Sequence, residues 1–444
     1  MPKYEKRSVK KTKPRKIAKP KSNNENLLAD IPMKNTAQLR KEAVEKKRTA
    51  PQRKAPGKSS SRSADLKLVK GYKKEKKIKA LFSFSAVVAL ILIIAAVNFI
   101  TPTGIVESVQ NGYAKIGVSS FPKSLTGDNV ISMKSMGGAI NVLSDTYYET
   151  YSSAGKQMTA SQHGFLSPQM EVSSARTLVF DRGGTGVKVY NHSRLIIDKK
   201  TENEIYCADI GRRGTIAFAT KSKGYAAQVE VLNKSFETKF KWFSPDNLIS
   251  DVAVNSRGDK IAVCELFARD GEYVSKISVF DFKDAVSEVS YEFPKTVITS
   301  IENLSDKSFA AISDTGAKII NWDKYSKSEI IFDSPVKLVR VSNKKIAVMY
   351  DKGNNKISST VAVYNDAGTH IGTFNVNDEV KNLAITNKNL YCVTSESIKC
   401  FDFAGNVISS ENCGFHTEML TDINNSAVYI SQSEIIKYTA RDKE

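Results

Sequence analysis

The 444-residue chain has little of the side-chain chemistry from which most catalytic and metal sites are built. It contains five cysteines, too few for a scaffold built on disulfide bonds. Its four histidines share no metal-type spacing with one another or with carboxylates, and no HExxH, P-loop or GxSxG motif occurs. The sequence therefore predicts no catalytic residue, no metal site and no cofactor.

Positive charge is concentrated at one end of the chain. Of 66 Lys+Arg and 47 Asp+Glu, residues 1–79 hold 27 and 7, which leaves 39 basic and 40 acidic residues beyond them. This split excludes a uniformly basic nucleic-acid-binding globule. Few aromatic residues, many prolines and mutually repelling lysines predict that residues 1–79 form a disordered basic tail.

An uncharged segment, ALFSFSAVVALILIIAAVNFI, covers residues 80–100. As a helix with a rise of ~1.5 Å per residue it would be ~31 Å long, which matches the ~30 Å hydrocarbon core of a bilayer. A buried helix of this length would normally show a polar face, and a cleaved signal peptide would lie nearer the terminus. We therefore predict one transmembrane helix, acting as an uncleaved signal anchor.

Lysines precede this segment and are scarce just after it. The positive-inside rule places the tail in the cytoplasm and residues 101–444 outside, as a single-pass type II protein of the cell membrane. The lysines nearest the segment are candidates for contact with anionic lipid headgroups, although they could serve only to set topology. They are Lys73, Lys74, Lys76, Lys77 and Lys79.

Beyond the apolar segment, a strand pattern repeats about every forty residues. A pair of β-branched or aromatic residues followed by Asn, Asp or a turn recurs near residues 151, 190, 232, 281, 322, 364, 402 and 438, with a mean spacing of 41. A second apolar run, such as TLVFDR or KIAVMY, precedes each copy. Short strands at this period are typical of β-propeller blades, whereas immunoglobulin-like domains need about 100 residues each.

The fold class predicted is all-β, a β-propeller of about eight blades over residues 105–444, with seven blades as the alternative. The final repeat lacks an outer strand. The stretch YAKIGVSSF (113–121) precedes the first full blade and could supply it, which would close the ring without a free sheet edge.

These repeats resemble the WD40-like and quinoprotein-like propeller superfamily. More narrowly, the layout is similar to an uncharacterised family of single-pass, membrane-anchored propellers from clostridial-type bacteria, with TLVFDRGGTGVKVYN (177–191) as the most specific block. The resemblance implies a propeller outside the membrane, with a scaffold as one role. Trp322-Asp323 is the single WD-like pair, and no Trp-docking pattern supports a pyrroloquinoline cofactor.

Three local motifs are candidates for special roles. Asp181 and Arg182 lie in a glycine-rich loop, either as a ligand site or as a clamp on the neighbouring blade. Cys392 and Cys400 flank a short turn and would face each other across a three-residue loop, either as a disulfide or as buried thiols. Residues 257–259 spell Arg-Gly-Asp, which we interpret as an ordinary hairpin turn.

The sequence favours a binding scaffold, not an enzyme, with the propeller contacting an envelope protein or polymer. One alternative is an extracytoplasmic hydrolase or lyase in the propeller channel, which would need convergent carboxylates or histidines that the sequence does not reveal. Another is a membrane tether that binds nucleic acid through the tail, which the scarcity of aromatic residues there disfavours.

Overall fold

A computed structural model describes residues 83–94, 103–117, 119–284, 286–332, 334–350, 358–413, 417 and 419–438. The chain divides into two units, Met1–Phe84 and Ser85–Glu444. The predicted tail, residues 1–79, lies outside the described residues, and so do the five candidate lipid contacts Lys73, Lys74, Lys76, Lys77 and Lys79.

Residues 83–94, from the middle of the predicted membrane segment, are helical and exposed. Residues 80–82 and 95–100 of that segment lie outside the described residues. Within the described part of the chain, no helix combines the length and apolar character needed to cross a bilayer. The membrane segment stays a prediction.

A second helix, Ile105–Lys115, precedes the strands and is called the linker helix below. Glu107 lies in its first turn and Lys115 in its last, which suits the helix dipole. The helix follows Gly104, and Ile116, with an extended backbone, ends it.

The remaining described chain forms eight antiparallel sheets of four strands, the blades. Blades 1 to 4 contain β2 (Val130–Met136), β3 (Ala139–Ser144), β4 (Tyr147–Ser152) and β5 (Gln157–Gln162); β6 (Pro168–Val172), β7 (Arg176–Asp181), β8 (Gly186–Asn191) and β9 (Leu195–Lys200); β10 (Ile205–Ile210), β11 (Ile216–Thr220), β12 (Ala227–Leu232) and β13 (Thr238–Ser244); and β14 (Leu248–Val254), β15 (Lys260–Arg269), β16 (Glu272–Asp281) and β17 (Val289–Pro294).

Blades 5 to 8 contain β18 (Ile298–Ser305), β19 (Ser308–Ser313), β20 (Gly316–Asn321) and β21 (Lys327–Ile331); β22 (Val336–Ser342), β23 (Lys345–Tyr350), β24 (Ser359–Asn365) and β25 (His370–Val376); β26 (Asn382–Ile385), β27 (Asn389–Val393), β28 (Ser397–Asp402) and β29 (Val407–Asn412); and β30 (Met419–Ile423), β31 (Ser426–Ser431), β32 (Glu434–Lys437) and β1 (Lys123–Ser124).

The blades close into a ring. The first strand of each blade contacts the first strand of the next, from β2 through to β30 and back to β2. The predicted eight-bladed all-β propeller is confirmed. All eight copies of the repeated pattern lie on or directly after third strands, and the apolar runs before them are second strands.

The ring closes through a strand from the other end of the chain, as expected. The prediction that residues 113–121 supply this strand was wrong. Lys123 and Ser124 pair with Ile435 and Glu434 of β32. Tyr113 to Lys115, the start of the predicted 113–121 strand, belong to the linker helix instead. Of these residues, Lys115 lies on the side of the helix that contacts the propeller, where it donates to the carbonyl of Gly137.

Hydrophobic clusters lie between neighbouring blades. Each of eight buried clusters draws on two adjacent blades, for example Trp322 and Phe309 of blade 5 against Ala262 and Ile277 of blade 4. Second strands such as β11 and β19 are buried on both surfaces, which explains their near-continuous apolar sequences.

Successive hairpins of an antiparallel meander alternate between the two ends of the strands. Hairpins that join first to second and third to fourth strands therefore form one face of the ring. The linker helix packs there, and we call it the helix face. Hairpins between second and third strands, with the connections between blades, form the opposite face.

Candidate functional site

Charged side chains from six first strands share the central channel. Lys134 of blade 1 experiences the charges of Glu171, Glu302 and Asp209, from blades 2, 5 and 3. Blades 1 and 5 are diametrically opposite in an eight-bladed ring, so this interaction crosses the channel. Asp251 of blade 4 and Arg340 of blade 6 complete the group, which we call the channel ring.

Opposite charges in the channel ring are partly paired. Lys134 Nζ lies 2.7 Å from Glu171 Oε2, and both side chains are about one-third exposed (36% and 34%). Arg340 donates from Nη2 to Asn382 Oδ1 of the next blade at 2.9 Å. Burial and the nearby carboxylate of Glu171 raise the pKa of Glu302, whereas the charge of Lys134 opposes that rise.

Asp209 and Asp251 fasten neighbouring blades together. Asp209 Oδ2 accepts a hydrogen bond from the Val254 amide of blade 4 at 2.7 Å, and Asp251 Oδ2 accepts one from the Ile301 amide of blade 5 at 2.7 Å. Each carboxylate also accepts the amide of its own next residue. These bonds link first strands around the channel wall.

The pKa of both aspartates is raised. Burial raises the pKa of Asp209 to about 7, helped by the charge of Glu171. Burial raises the pKa of Asp251 to about 8 against the backbone hydrogen bond from Ile301, which lowers it. Desolvation of the charged form therefore outweighs hydrogen bonding at both positions.

The sequence did not reveal convergent carboxylates, and the closed ring brings four of them together. Glu171, Asp209, Asp251 and Glu302 are separated by 38, 42 and 51 residues in sequence, and the ring brings them into one channel. One acidic residue in each of the four consecutive first strands β6, β10, β14 and β18 was the available signal, but the repeat did not reveal the first strands. No three metal-ligating side chains in the described residues lie close enough to hold a metal ion.

Large apolar side chains are exposed on the opposite face. Leu166 is 98% exposed in the connection into blade 2, and Tyr273 is 65% exposed at the tip of the long β15–β16 hairpin. Tyr225 and Phe243 of blade 3 stack with ring centroids 4.8 Å apart, and Leu248 begins blade 4 beside them in sequence. We call these five residues the apolar group of the opposite face.

The linker helix docks on the helix face through polar contacts. Glu107 accepts two hydrogen bonds from Arg176, from Nε at 2.8 Å and Nη2 at 2.7 Å, with both side chains largely buried. Buried Asn111 donates to Ala175 O and accepts from the His192 amide, each at 3.0 Å. Lys115 Nζ donates to the carbonyl of Gly137. Residues 107, 111 and 115 are spaced by one helical turn and share one face.

The Asp181 side chain binds the backbone of its own blade, and a clamp on the neighbouring blade through this side chain stays a prediction. Its Oδ1 accepts the amides of Leu166 and Ser167, at 3.2 and 2.8 Å, which fixes the connection into blade 2. The backbones of Gly183 and Gly184 bond to Ile205 of blade 3. The Arg182 side chain is exposed on the opposite face, and a ligand role for it stays a prediction.

The possible disulfide between Cys392 and Cys400 is not formed. Cys392 pairs across the hairpin with Lys399, and Cys400 pairs with Tyr391, so the two thiols point to opposite surfaces of blade 7. Val393 pairs with Ile398, which makes the loop four residues long and changes the parity that the prediction assumed. All five cysteines are free, and burial raises the pKa of both thiols.

The Arg-Gly-Asp tripeptide is a hairpin turn that links blades. Arg257 forms hydrogen bonds with Asp323 of blade 5 and with Asp259 beside it. Asp259 in turn accepts a hydrogen bond from the Asn255 side chain. The side chains of Arg257 and Asp259 therefore form contacts within the propeller, as expected for a structural hairpin turn.

Comparison with known proteins identifies a family. The profile of a family of unknown function, DUF5711, matches residues 111–438, more than half of the chain. No curated protein sequence matches.

Solved structures with a similar fold include BamB from Moraxella catarrhalis, at 10% identity and a TM-score of 0.48 over 74% of this chain and 98% of that one. A eukaryotic initiation factor gives 11% identity and a TM-score of 0.43 over 67% and 90% of the two chains. Hsv2 from Kluyveromyces lactis gives 10% identity and 0.43 over 62% and 98%. At these identities the similarity concerns the fold alone.

Proposed function

Given that the chain belongs to the family of unknown function DUF5711, we propose that it is a membrane-anchored binding scaffold whose propeller docks an envelope protein on the opposite face. Residues 80–100 anchor it in the cell membrane, the basic tail lies in the cytoplasm, and the propeller lies outside. Tail lysines 73, 74, 76, 77 and 79 contact anionic headgroups in this proposal.

The apolar group of the opposite face is the observation that carries the proposal. Exposed tyrosine and arginine side chains are typical of the residues that contribute most binding energy at protein interfaces. Arg182 and Arg269 are exposed on the same face. An aromatic pair such as Tyr225 and Phe243 offers a large contact area with few rotatable bonds, so little conformational entropy is lost on binding.

The channel ring favours a second candidate, an enzyme acting in the channel. Carboxylates with raised pKa values are typical of catalytic sites, and Asp209 and Asp251 have that property. Their oxygens are nevertheless engaged with amides of the next blade, at 2.7 Å each. We therefore rank the channel ring as structural and the protein as a scaffold.

Site-specific photocrosslinking in cells tests the scaffold. A photoreactive amino acid is placed at Leu248 or Tyr273, and at Val407, which is 50% exposed on the outer strand of blade 7, as the matched control. We expect the same protein to be crosslinked from Leu248 and Tyr273, and not from Val407, because one partner covers the apolar group.

The crosslinking is repeated with residues 1–79 replaced by a neutral tail. This comparison distinguishes recognition by the propeller from recognition by the tail. The same adduct should form if the propeller is the recognition element. Adducts that vanish without the tail, or that form equally at Val407, would contradict the proposal.

A further inference from the structure

The linker helix packs in the inverse of the usual amphipathic arrangement. A surface helix normally turns its apolar side towards the protein core. Here Glu107, Asn111 and Lys115 face the propeller, and the contacts are hydrogen bonds and an ion pair. The apolar side chains of the helix are thus directed away from the propeller.

These outward side chains form one stripe along the helix. Val106, Val109, Tyr113 and Ile116 are spaced by three, four and three residues, which aligns them on one face. They are between 65% and 75% exposed. A contiguous group of exposed apolar side chains marks a surface that contacts a membrane or another protein.

The position of the stripe in the chain indicates that it contacts a lipid bilayer. Ile105 follows the last residue of the uncharged segment 80–100 by five positions. At no more than ~3.6 Å per residue, five residues reach at most about 18 Å. A membrane anchor at residues 80–100 therefore holds the linker helix within reach of the headgroup region.

Charge on the surrounding hairpins is consistent with an anionic surface. Arg194, Arg213 and Lys234 are exposed on hairpins of the helix face in blades 2 and 3. The hairpins of Arg194 and Lys234 also contact the helix or its partner, through the His192 amide and through the Lys234 carbonyl that accepts from Arg176. Basic side chains beside an apolar stripe are typical of helices that lie in a membrane interface.

We propose that the linker helix is an interfacial membrane contact, held between the propeller and the bilayer. Val106, Val109, Tyr113 and Ile116 enter the headgroup boundary, and Arg194, Arg213 and Lys234 contact anionic headgroups. The helix face of the ring then lies against the membrane, and the opposite face points away from it. This inference rests on the membrane anchoring in the proposed function.

Fluorescence quenching in vesicles tests the contact. The full chain is reconstituted into vesicles of phosphatidylcholine and phosphatidylglycerol, with or without bromine on the acyl chains. Tyr113→Trp reports on the stripe, and Tyr273→Trp, at a similarly exposed tyrosine of the opposite face, is the matched control. Wild-type protein, with Trp242 and Trp322, supplies the background signal.

We expect brominated lipid to quench at least about half of the fluorescence that Tyr113→Trp adds, because an interfacial helix buries its apolar face near the acyl boundary. The fluorescence added by Tyr273→Trp should not change. Flotation of the same vesicles reports on anchoring separately. Flotation without quenching of Tyr113→Trp would overturn the helix contact and leave anchoring intact, whereas a chain that does not float would overturn both.

Two further outcomes would also overturn the contact. Equal quenching of both variants would show nonspecific adsorption. A blue shift of Tyr113→Trp that depends on protein density and is insensitive to bromine would show that a second copy covers the stripe.

Charge variants test the role of the basic side chains. In the Tyr113→Trp background, Arg194→Gln, Arg213→Gln and Lys234→Gln together should weaken quenching in vesicles with phosphatidylglycerol and have little effect in pure phosphatidylcholine. Exposed lysines of the helix face in blades 5 and 7 provide the control triple, Lys307→Gln, Lys324→Gln and Lys388→Gln. Equal losses in both triples would contradict the assigned headgroup contacts.

Discussion

Individual polar residues, more than hydrophobic ones, distinguish one part of this ring from another. The core repeats similar aliphatic side chains in every blade, whereas each charged residue has a particular partner. Asp209 reaches Val254 across 45 residues of sequence, and Asp251 reaches Ile301 across 50. Such residues set the contact between first strands, so their protonation state bears on the stability of the ring.

The raised pKa values of Asp209 and Asp251 predict a pH dependence of stability. An aspartate in the unfolded chain has a pKa of about 3.9. Between that value and about 7 or 8, the folded protein holds protons that the unfolded chain releases. The free energy of unfolding should therefore fall as pH rises through this window and should be largest at its acidic end.

The double variant Asp209→Asn and Asp251→Asn should remove this part of the dependence, because asparagine keeps a carbonyl acceptor and carries no charge. Denaturant unfolding from pH 5 to 8 measures the effect. We expect the variant to gain stability relative to wild type as pH rises. Parallel curves for the two proteins would show that the aspartates do not titrate in this range.

At the scale of elements, the linker helix is the piece whose place the strand pattern does not determine. It is attached through Arg176, whose guanidinium also donates to the Lys234 carbonyl at 2.8 Å and lies over the Phe236 ring. Arg176 thus joins the linker helix to blades 2 and 3. Removing its carboxylate partner leaves a buried cation, which is costly.

Glu107→Gln should loosen the helix. We expect faster hydrogen exchange over residues 105–115 and a loss of about 3 kcal/mol or less in the free energy of unfolding, since Arg176 keeps its carbonyl contact. Glu272→Gln, which breaks the exposed pair with Lys295, is the matched control and should change stability by less than about 1 kcal/mol. Unchanged exchange in the helix would show that Glu107 does not hold it.

At the scale of the whole molecule, ring closure depends on a two-residue strand and one buried carboxylate. Lys123 and Ser124 complete blade 8. Directly after them, the amides of Thr126 and Gly127 donate to Glu149 of blade 1, which also accepts from Tyr151 and Gln157. The segment that precedes blade 1 thereby holds blade 8 and blade 1 together.

Two truncations test the closure. A chain beginning at residue 119 keeps β1, and one beginning at residue 128 lacks it. We expect the shorter chain to lose most of its unfolding cooperativity and to aggregate, because β32 becomes a free edge and Glu149 loses two donors. Thermal unfolding and light scattering of the two chains measure this. Similar behaviour of both chains would show that β1 is dispensable.

Much of this architecture could be predicted from the sequence because its cause is local. Second strands are buried on both surfaces, so their apolar residues run almost without interruption and repeat every blade, as at Phe309 to Ile312 and Ile346 to Tyr350. That repetition predicted the propeller and favoured eight blades, with seven as the alternative. The charge split and the uncharged segment 80–100 are equally local and predict a tail and an anchor.

The tertiary structure alone decided the features that depend on distant partners. The channel ring forms because closure brings first strands together, and a lone acidic residue in each strand has no pattern of its own. Cys392 and Cys400 do not face each other because the loop between their strands is one residue longer than expected. That extra residue places the two thiols on opposite surfaces of the blade. The linker helix turns its polar side inward because Arg176, 69 residues away, offers a buried partner to Glu107. The sequence alone determines hydrophobic periodicity, because that pattern depends on neighbouring residues. The pairing of charges depends on the closure of the ring, which brings distant residues together.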